Sequence, residues 1–299
     1  MNFISFLFFK FFVIVIGILP FRVLYLLSDV FAFVLYRIIG YRKGVIFRNL
    51  ENAFPEKGKE EIKRIVGQTY KNLADITLEG FKAFTMDKEE IARRYKITNR
   101  DLVLSYFKNG KSVMMLGAHY NNWEWGTSAL PVHLDFSEQS VESNIVIIYK
   151  PLANGYMDKY MKRVRKKAGA VLATLRETGY YFNKYVNKNT GFILIADQNP
   201  SNKTKSVWVN FFGRETPFLR GAEILSRKYD IPVLFGEVTR VKRGYYEYKF
   251  YVLAENPAEY GSGKITELYA MKLESIIRKQ PANWLWSHKR WKHAKEGQN

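Results

Sequence analysis

The 299-residue chain has no cysteine. That excludes a disulfide framework, a thiolate metal or iron–sulfur site and a cysteine nucleophile. Acidic side chains are scarce beside basic ones, 28 against 47, leaving a formal net charge of +19. Such a surplus calls for an anionic partner: nucleic acid, anionic lipid headgroups or an acidic carrier protein. Nucleic acid is not expected, because no recognition motif accompanies the scattered cations. No phosphate-cradling loop is present, since Gly261-Ser262-Gly263-Lys264 lacks P-loop context, and no G-x-S-x-G elbow offers a serine nucleophile. No internal repeat, low-complexity segment or linker divides the chain.

Aromatic residues are plentiful, 16% of the chain. They crowd the start, where residues 3–19, FISFLFFKFFVIVIGIL, hold one charge, Lys10, and stop at Pro20. A second apolar stretch over 21–39 places its polar residues Arg22, Asp29 and Arg37 on one helical face. The expectation is a first helix inserted in the bilayer and a second lying against the membrane or the main domain. Two buried helices of a soluble core would read the same way. Arg37, Arg42, Lys43 and Arg48 follow, with Asp29 the only acid in the first fifty residues, which keeps the body on the cytoplasmic side. The chain thus divides into membrane-anchoring helices over 1–40 and one domain over 41–299.

Residues 58–84 show apolar positions at helical spacing, for one amphipathic helix or two. Short apolar runs then suggest strands at 112–118, 144–150, 171–174, 191–197, 206–212, 232–240 and 246–253. Helical stretches fall at 123–131, 154–168, 176–188, 217–229 and 264–279. This alternation predicts an α/β fold, with a mixed, mostly parallel central sheet flanked by helices. The last two strands form an antiparallel hairpin around Gly244.

The segment GAHYNNWEWG, 117–126, carries the chemistry. On one continuous helix, residues five apart sit about 140° apart and cannot face a common substrate. A strand that ends near Ala118 and a helix that begins near Asn121 bring His119 to the carboxyl end of the sheet, where open α/β sheets bind ligands. Asn121 as cap with Glu124 three residues on is also a capping-box pattern that needs no catalysis. The two roles are compatible: a first-turn carboxylate can hold one imidazole nitrogen while the other takes a proton from an attacking hydroxyl. Trp123 and Trp125 are expected as walls of the site or as membrane-edge contacts.

H-x4-E after a strand, on a basic chain with an apolar start, resembles the late acyltransferases of lipid A biosynthesis, the lauroyl/myristoyl type. Residues 19–57 are similar to that family's opening segment. YKP (149–151), LRETG (175–179), IADQNP (195–200), 216–236 and NWLWSHKRWK (283–292) resemble its later blocks in order. The resemblance implies a glycerol-3-phosphate acyltransferase-like fold and acyl transfer at the cytoplasmic face of the inner membrane. The donor it implies is acyl carrier protein, and the acceptor a hydroxyl of a lipid A precursor. The same chemistry on another glycolipid or polar lipid, with acyl-CoA as donor, is the alternative. A non-enzymatic basic membrane-surface or nucleic-acid-binding protein is the reading from another class.

By that resemblance His119 is the general base and Glu124 its orienting partner, with no metal, cofactor or covalent intermediate. Lys150, Arg176 and Asp197 fall in matching blocks as contacts to the oxyanion or to substrate phosphates. At position 150 the family often has arginine, and lysine lacks its bidentate fork. Asp197 can equally cap a turn. The run KYMKRVRKK, 159–167, reads as a basic amphipathic helix whose Lys159, Lys162, Arg163 and Lys166 meet an anionic membrane or the carrier protein. His133 is assigned a structural role. His288 and His293 are not spaced as metal ligands.

Overall fold

Four consecutive apolar side chains, Val113 to Leu116, are fully or almost fully buried. A parallel strand covered on both faces requires this. A computed structural model describes residues 2–200 and 206–292. The amino-terminal half runs α1 (Asn2–Ile18), α2 (Phe21–Phe33), a π-helical extension (Val34–Ile39), α3 (Lys43–Ala53), α4 (Lys59–Ala83), α5 (Lys88–Arg94), β1 (Tyr95–Ile97) and α6 (Arg100–Lys108). There follow β2 (Val113–Gly117), α7 (Trp123–His133), β3 (Asn144–Tyr149), α8 (Gly155–Lys167), β4 (Ala170–Thr174), α9 (Thr178–Tyr185) and β5 (Thr190–Ile195). The rest is β6 (Ser206–Phe211), β7 (Arg214–Leu219), α10 (Gly221–Tyr229), β8 (Val233–Lys242), β9 (Tyr245–Ala254) and α11 (Lys264–Lys279).

The central sheet has the order β1-β9-β8-β2-β5-β3-β4. Among the described residues only β8 and β9 pair antiparallel within it, so the expected mixed, mostly parallel sheet is borne out. One face carries Ile65, Val66, Phe192, Phe235 and Leu273 from α4, the sheet and α11. The opposite face packs Phe107, Met115, Trp125 and Leu130 from α6, α7 and the sheet. Gly236 on β8 leaves room for its neighbour on β9: a Cβ there would lie 1.6 Å from the Tyr248 hydroxyl.

Of the two possibilities for 58–84, the structure has the single helix, α4. Two local expectations are corrected. Residues 206–212 do not join the central sheet but pair with 214–219 in a separate hairpin, β6–β7. The helix expected over 217–229 therefore starts only at Gly221. Pro217 fits this hairpin because a two-stranded ribbon leaves each strand one unpaired edge, where a missing N–H costs nothing.

Among the described residues no single helix is long and apolar enough to cross a membrane. The segment Phe21–Ile39 meets α3 at 95°, and α3 buries Ile46, Leu50 and Ala53 in the core. Both α1 and α2 pack along α4. A buried polar seam ties α2 to the body. Asp75 on α4 accepts from Ser28 at 2.6 Å and pairs with Arg240 and Arg243, and Arg243 also reaches Asp29 at 2.7 Å. Asp75→Ala leaves two cations facing an emptied, 2% exposed position. A loss of about 3–5 kcal/mol of unfolding free energy is expected, read from urea denaturation.

Candidate functional site

The carboxyl ends of β2 and β5 are neighbours, with Gly117 opposite Ile195. The residues just beyond them, His119 and Asp197, are thus delivered to one point. His119 Nδ1 lies 2.6 Å from Asp197 Oδ1, and the His119 backbone N–H donates to Oδ2 at 3.0 Å. The Trp284 indole N–H completes the carboxylate's set at 2.8 Å. A buried carboxylate this well supplied with donors stays ionised. Burial alone would raise the Asp197 pKa, but the His119 charge and these hydrogen bonds outweigh it and hold it below the ordinary range.

An anionic Asp197 at Nδ1 makes that nitrogen the donor and leaves Nε2 with a free lone pair. The Gln198 amide nitrogen sits 3.2 Å from Nε2 and donates to it. Burial pulls the imidazole pKa down, yet Asp197 and then Glu124 overcome it and raise the pKa above its usual value. The Trp123 ring meets the imidazole edge-on at 5.0 Å and walls one side.

The turn between β2 and α7 is held by hydrogen bonds from several elements. Asn121 takes a left-handed conformation (φ 50°), which asparagine tolerates, and its amide donates to the Val238 carbonyl at 2.6 Å. The expected cap therefore shifts by one residue: the Asn122 side chain accepts the Trp125 N–H at 3.0 Å. The Asn122 amide in turn donates to buried Glu79 at 2.7 Å. Glu79 also receives the hydroxyls of Tyr25 and Tyr246, both at 2.7 Å. From the carboxyl end of the chain, Leu285 N–H donates to the His119 carbonyl at 3.1 Å.

Glu124 departs from its expected place. Its carboxylate pairs with Arg165 on α8 at 3.1 Å, and the orienting contact to His119 is made by Asp197 instead. The reason is topological: Glu124 lies in the first turn of α7 and faces α8, whereas Asp197 leaves the strand next to β2. Lys150 and Arg176 follow the ends of β3 and β4 and are exposed on the same edge of the sheet. With strands about 4.8 Å apart, they stand roughly 10 and 14 Å along that edge from β2. Lys159, Arg163 and Lys166 are exposed on α8, while half-buried Lys162 pairs with Asp158 at 3.1 Å. Trp125 is a core residue rather than a wall of the site: it is fully buried, and its indole N–H donates to the Glu79 carbonyl at 2.8 Å.

Sequence reasoning missed Arg165, Gln198 and Trp284. Arg165 stands seven residues after Asp158, on the same helical face, and both are buried. That spacing was the available signal for an inward-facing charge within the basic run. Trp284 and Gln198 had none beyond lying in ordered blocks. His133 Nε2 meets the Tyr95 carbonyl at 2.6 Å. His288 Nε2 accepts the Asn199 N–H at 3.1 Å, next to the site, and His293 lies outside the described residues.

A carboxylate-oriented imidazole at the carboxyl end of a mostly parallel sheet can serve as a base toward an attacking hydroxyl, which is the chemistry that acyl transfer uses. The comparisons agree. The model of the bacterial lipid A biosynthesis acyltransferase family matches residues 2–293. The chain is 20% identical over 283 residues to the lipid A biosynthesis palmitoleoyltransferase of Escherichia coli K12, covering 94% of this chain and 89% of that protein. It is equally similar, over the same shares, to a lipid A biosynthesis acyltransferase of Shigella flexneri. The chain belongs to the bacterial lipid A biosynthesis acyltransferase family and is an O-acyltransferase.

Proposed function

We propose that this enzyme moves a fatty acyl group from an acyl carrier protein to a hydroxyl of a lipid A precursor, at the cytoplasmic face of the inner membrane. Family membership across almost the whole chain supports the acceptor class. The observation that carries the mechanism is the 2.6 Å contact from His119 Nδ1 to Asp197, which leaves Nε2 as a base. The acceptor hydroxyl takes the place of the Gln198 amide at Nε2 and gives up its proton there as its oxygen attacks the thioester carbon. The tetrahedral adduct then collapses. The carbon–sulfur bond breaks, and the imidazolium returns the proton to the leaving thiolate. Asp197 stabilises the imidazolium between these steps.

Lys150 and Arg176 supply positive charge at the same sheet edge for the acceptor's phosphates, and Lys150 does so as a point charge. Lys159, Lys162, Arg163 and Lys166 present a cationic helix to the membrane or the carrier. Residues 1–40 act as the membrane-anchoring element. Glu124 works at one remove, positioning Arg165 and raising the imidazole pKa. Glu124→Gln should therefore cost only about fivefold to tenfold in kcat/KM, the scale of one partly exposed ion pair. The deciding experiment is an in vitro assay crossing acyl carrier protein and acyl-CoA thioesters with lipid A precursors and other polar lipids. Transfer from the carrier to the lipid A precursor is expected. Efficient transfer only from acyl-CoA, or only to another lipid, overturns the assignment.

A further inference from the structure

We propose that α1 and α2 lie in the plane of a single leaflet of an anionic bilayer, without crossing it, with the cationic side of α8 at the lipid phosphates. This stands on the surface itself and does not depend on which acyl group or acceptor the enzyme uses.

At about 1.5 Å per residue α1 is about 25 Å long, short of the roughly 30 Å of a bilayer core. One side of it is committed to protein. Val13 and Ile16 are buried, and Phe9 packs on Phe81, Phe84 and Tyr160 at 5.6–5.9 Å between ring centres. At Gly17 the approach is so close that a Cβ would lie 2.5 Å from Thr85 Cγ2. The opposite side is bare and largely apolar: Ile4, Leu7, Phe8, Phe11, Ile14 and Ile18 are each about half exposed or more, Ile18 at 76%, with exposed Lys10 at the flank. On α2, whose inner face buries Leu24, Ser28 and Ala32, the outward residues Leu26, Leu27, Val30 and Phe33 repeat the pattern. A lone helix that spans a bilayer meets lipid all round, whereas these two are bound to α4 inward and present an apolar strip outward that is interrupted by exposed Lys10, Arg22 and Asp29.

Charge complementarity names the occupant. The amino-terminal half of α1 lies against α8 through Phe3–Tyr156 and Phe6–Tyr160, with ring centres 5.4 and 6.1 Å apart, and Asn154 donates to the Asn2 carbonyl at 2.8 Å. The solvent side of α8, beside these tyrosines, carries exposed Lys159, Arg163, Lys166 and Lys167. An apolar strip bordered by cations matches the acyl region of a leaflet below its phosphates. The inner side of α8 carries Arg165, which meets Glu124. Glu124 opens the helix that follows His119, so α8 stands between the cationic surface and the edge of the site.

The chain lacks cysteine, so single substitutions Ile4→Cys, Phe11→Cys, Ile18→Cys, Leu26→Cys and Lys108→Cys each carry a unique nitroxide. Depth is read by electron paramagnetic resonance on the full chain bound to phosphatidylcholine vesicles containing phosphatidylglycerol. The first four labels are expected at one shared depth, about 5–10 Å below the phosphates, with the label at Lys108 in water. A depth graded along positions 4, 11 and 18, by about 20 Å in all, means that α1 spans and overturns the proposal. Labels that contact no lipid but couple to those of another copy overturn it in favour of self-association. The triple variant K159E/R163E/K166E should bind phosphatidylglycerol vesicles about a hundredfold more weakly and pure phosphatidylcholine vesicles no differently. Unchanged binding to the anionic vesicles overturns the role of α8 and leaves its cations to the carrier protein. None of these readouts requires turnover, so the acyl-transfer assignment can fail or succeed separately.

Discussion

Replacing Asp197 by asparagine should lower kcat by about 10³- to 10⁴-fold, the scale seen when a carboxylate that fixes a catalytic imidazole's tautomer is neutralised. Asparagine keeps the shape and keeps an acceptor for the Trp284 indole and the His119 N–H. It loses the charge that makes Nδ1 the protonated nitrogen. The pH profile separates this from simple damage. His119 must be neutral to act, and its pKa is raised, so the wild-type rate falls as pH drops through that raised value. Without the Asp197 charge, burial pulls the imidazole pKa down, and the acid limb of kcat/KM should move to lower pH even as the plateau collapses. A loss under tenfold in Asp197→Asn, with collapse in Glu124→Gln instead, would return the orienting role to Glu124.

His119→Ala should lower the rate by about 10²- to 10⁴-fold, the usual contribution of a positioned general base. Asp197 still receives two donors in that variant, from the His119 backbone N–H and the Trp284 indole. The stability cost should thus stay near 1–2 kcal/mol. An unchanged circular dichroism spectrum with a modest shift in the urea midpoint checks that the loss is chemical. Near-normal transfer by a folded His119→Ala protein would end the assignment of this imidazole as base.

The two variants bear on different links of the argument. His119 was legible as a candidate because a strand-like apolar run ends immediately before it and places it at the ligand-binding edge of an α/β sheet. Its partner was not. H-x4-E draws attention to Glu124 because the two are close in sequence, yet residues across a strand–turn–helix junction diverge. Asp197 stood in view as a turn cap or a substrate contact. Which of these it is depends on β5 lying beside β2, and strand order is not written in either strand's own pattern. Trp284 reaches the same carboxylate from 87 residues further along the chain. The spacing of its neighbours carries no trace of that contact.

The same division runs through the fold. Local periodicity was enough for the alternation of strands and helices, the late hairpin at Gly244 and the apolar start, because burial on two faces or on one leaves its mark in consecutive residues. It misassigned 217–219 because Pro217, Phe218 and Leu219 read equally well as a helix start until β6 is there to pair with them. By itself the sequence determined the α/β class, the basic character, a candidate base and the family blocks. Only the tertiary structure decided that Asp197 aims His119, that Glu124 belongs with Arg165, and that α1 keeps one side for α4 and α8. Those three outcomes rest on contacts between segments far apart in the chain, whose geometry follows from packing and strand order rather than from any local pattern.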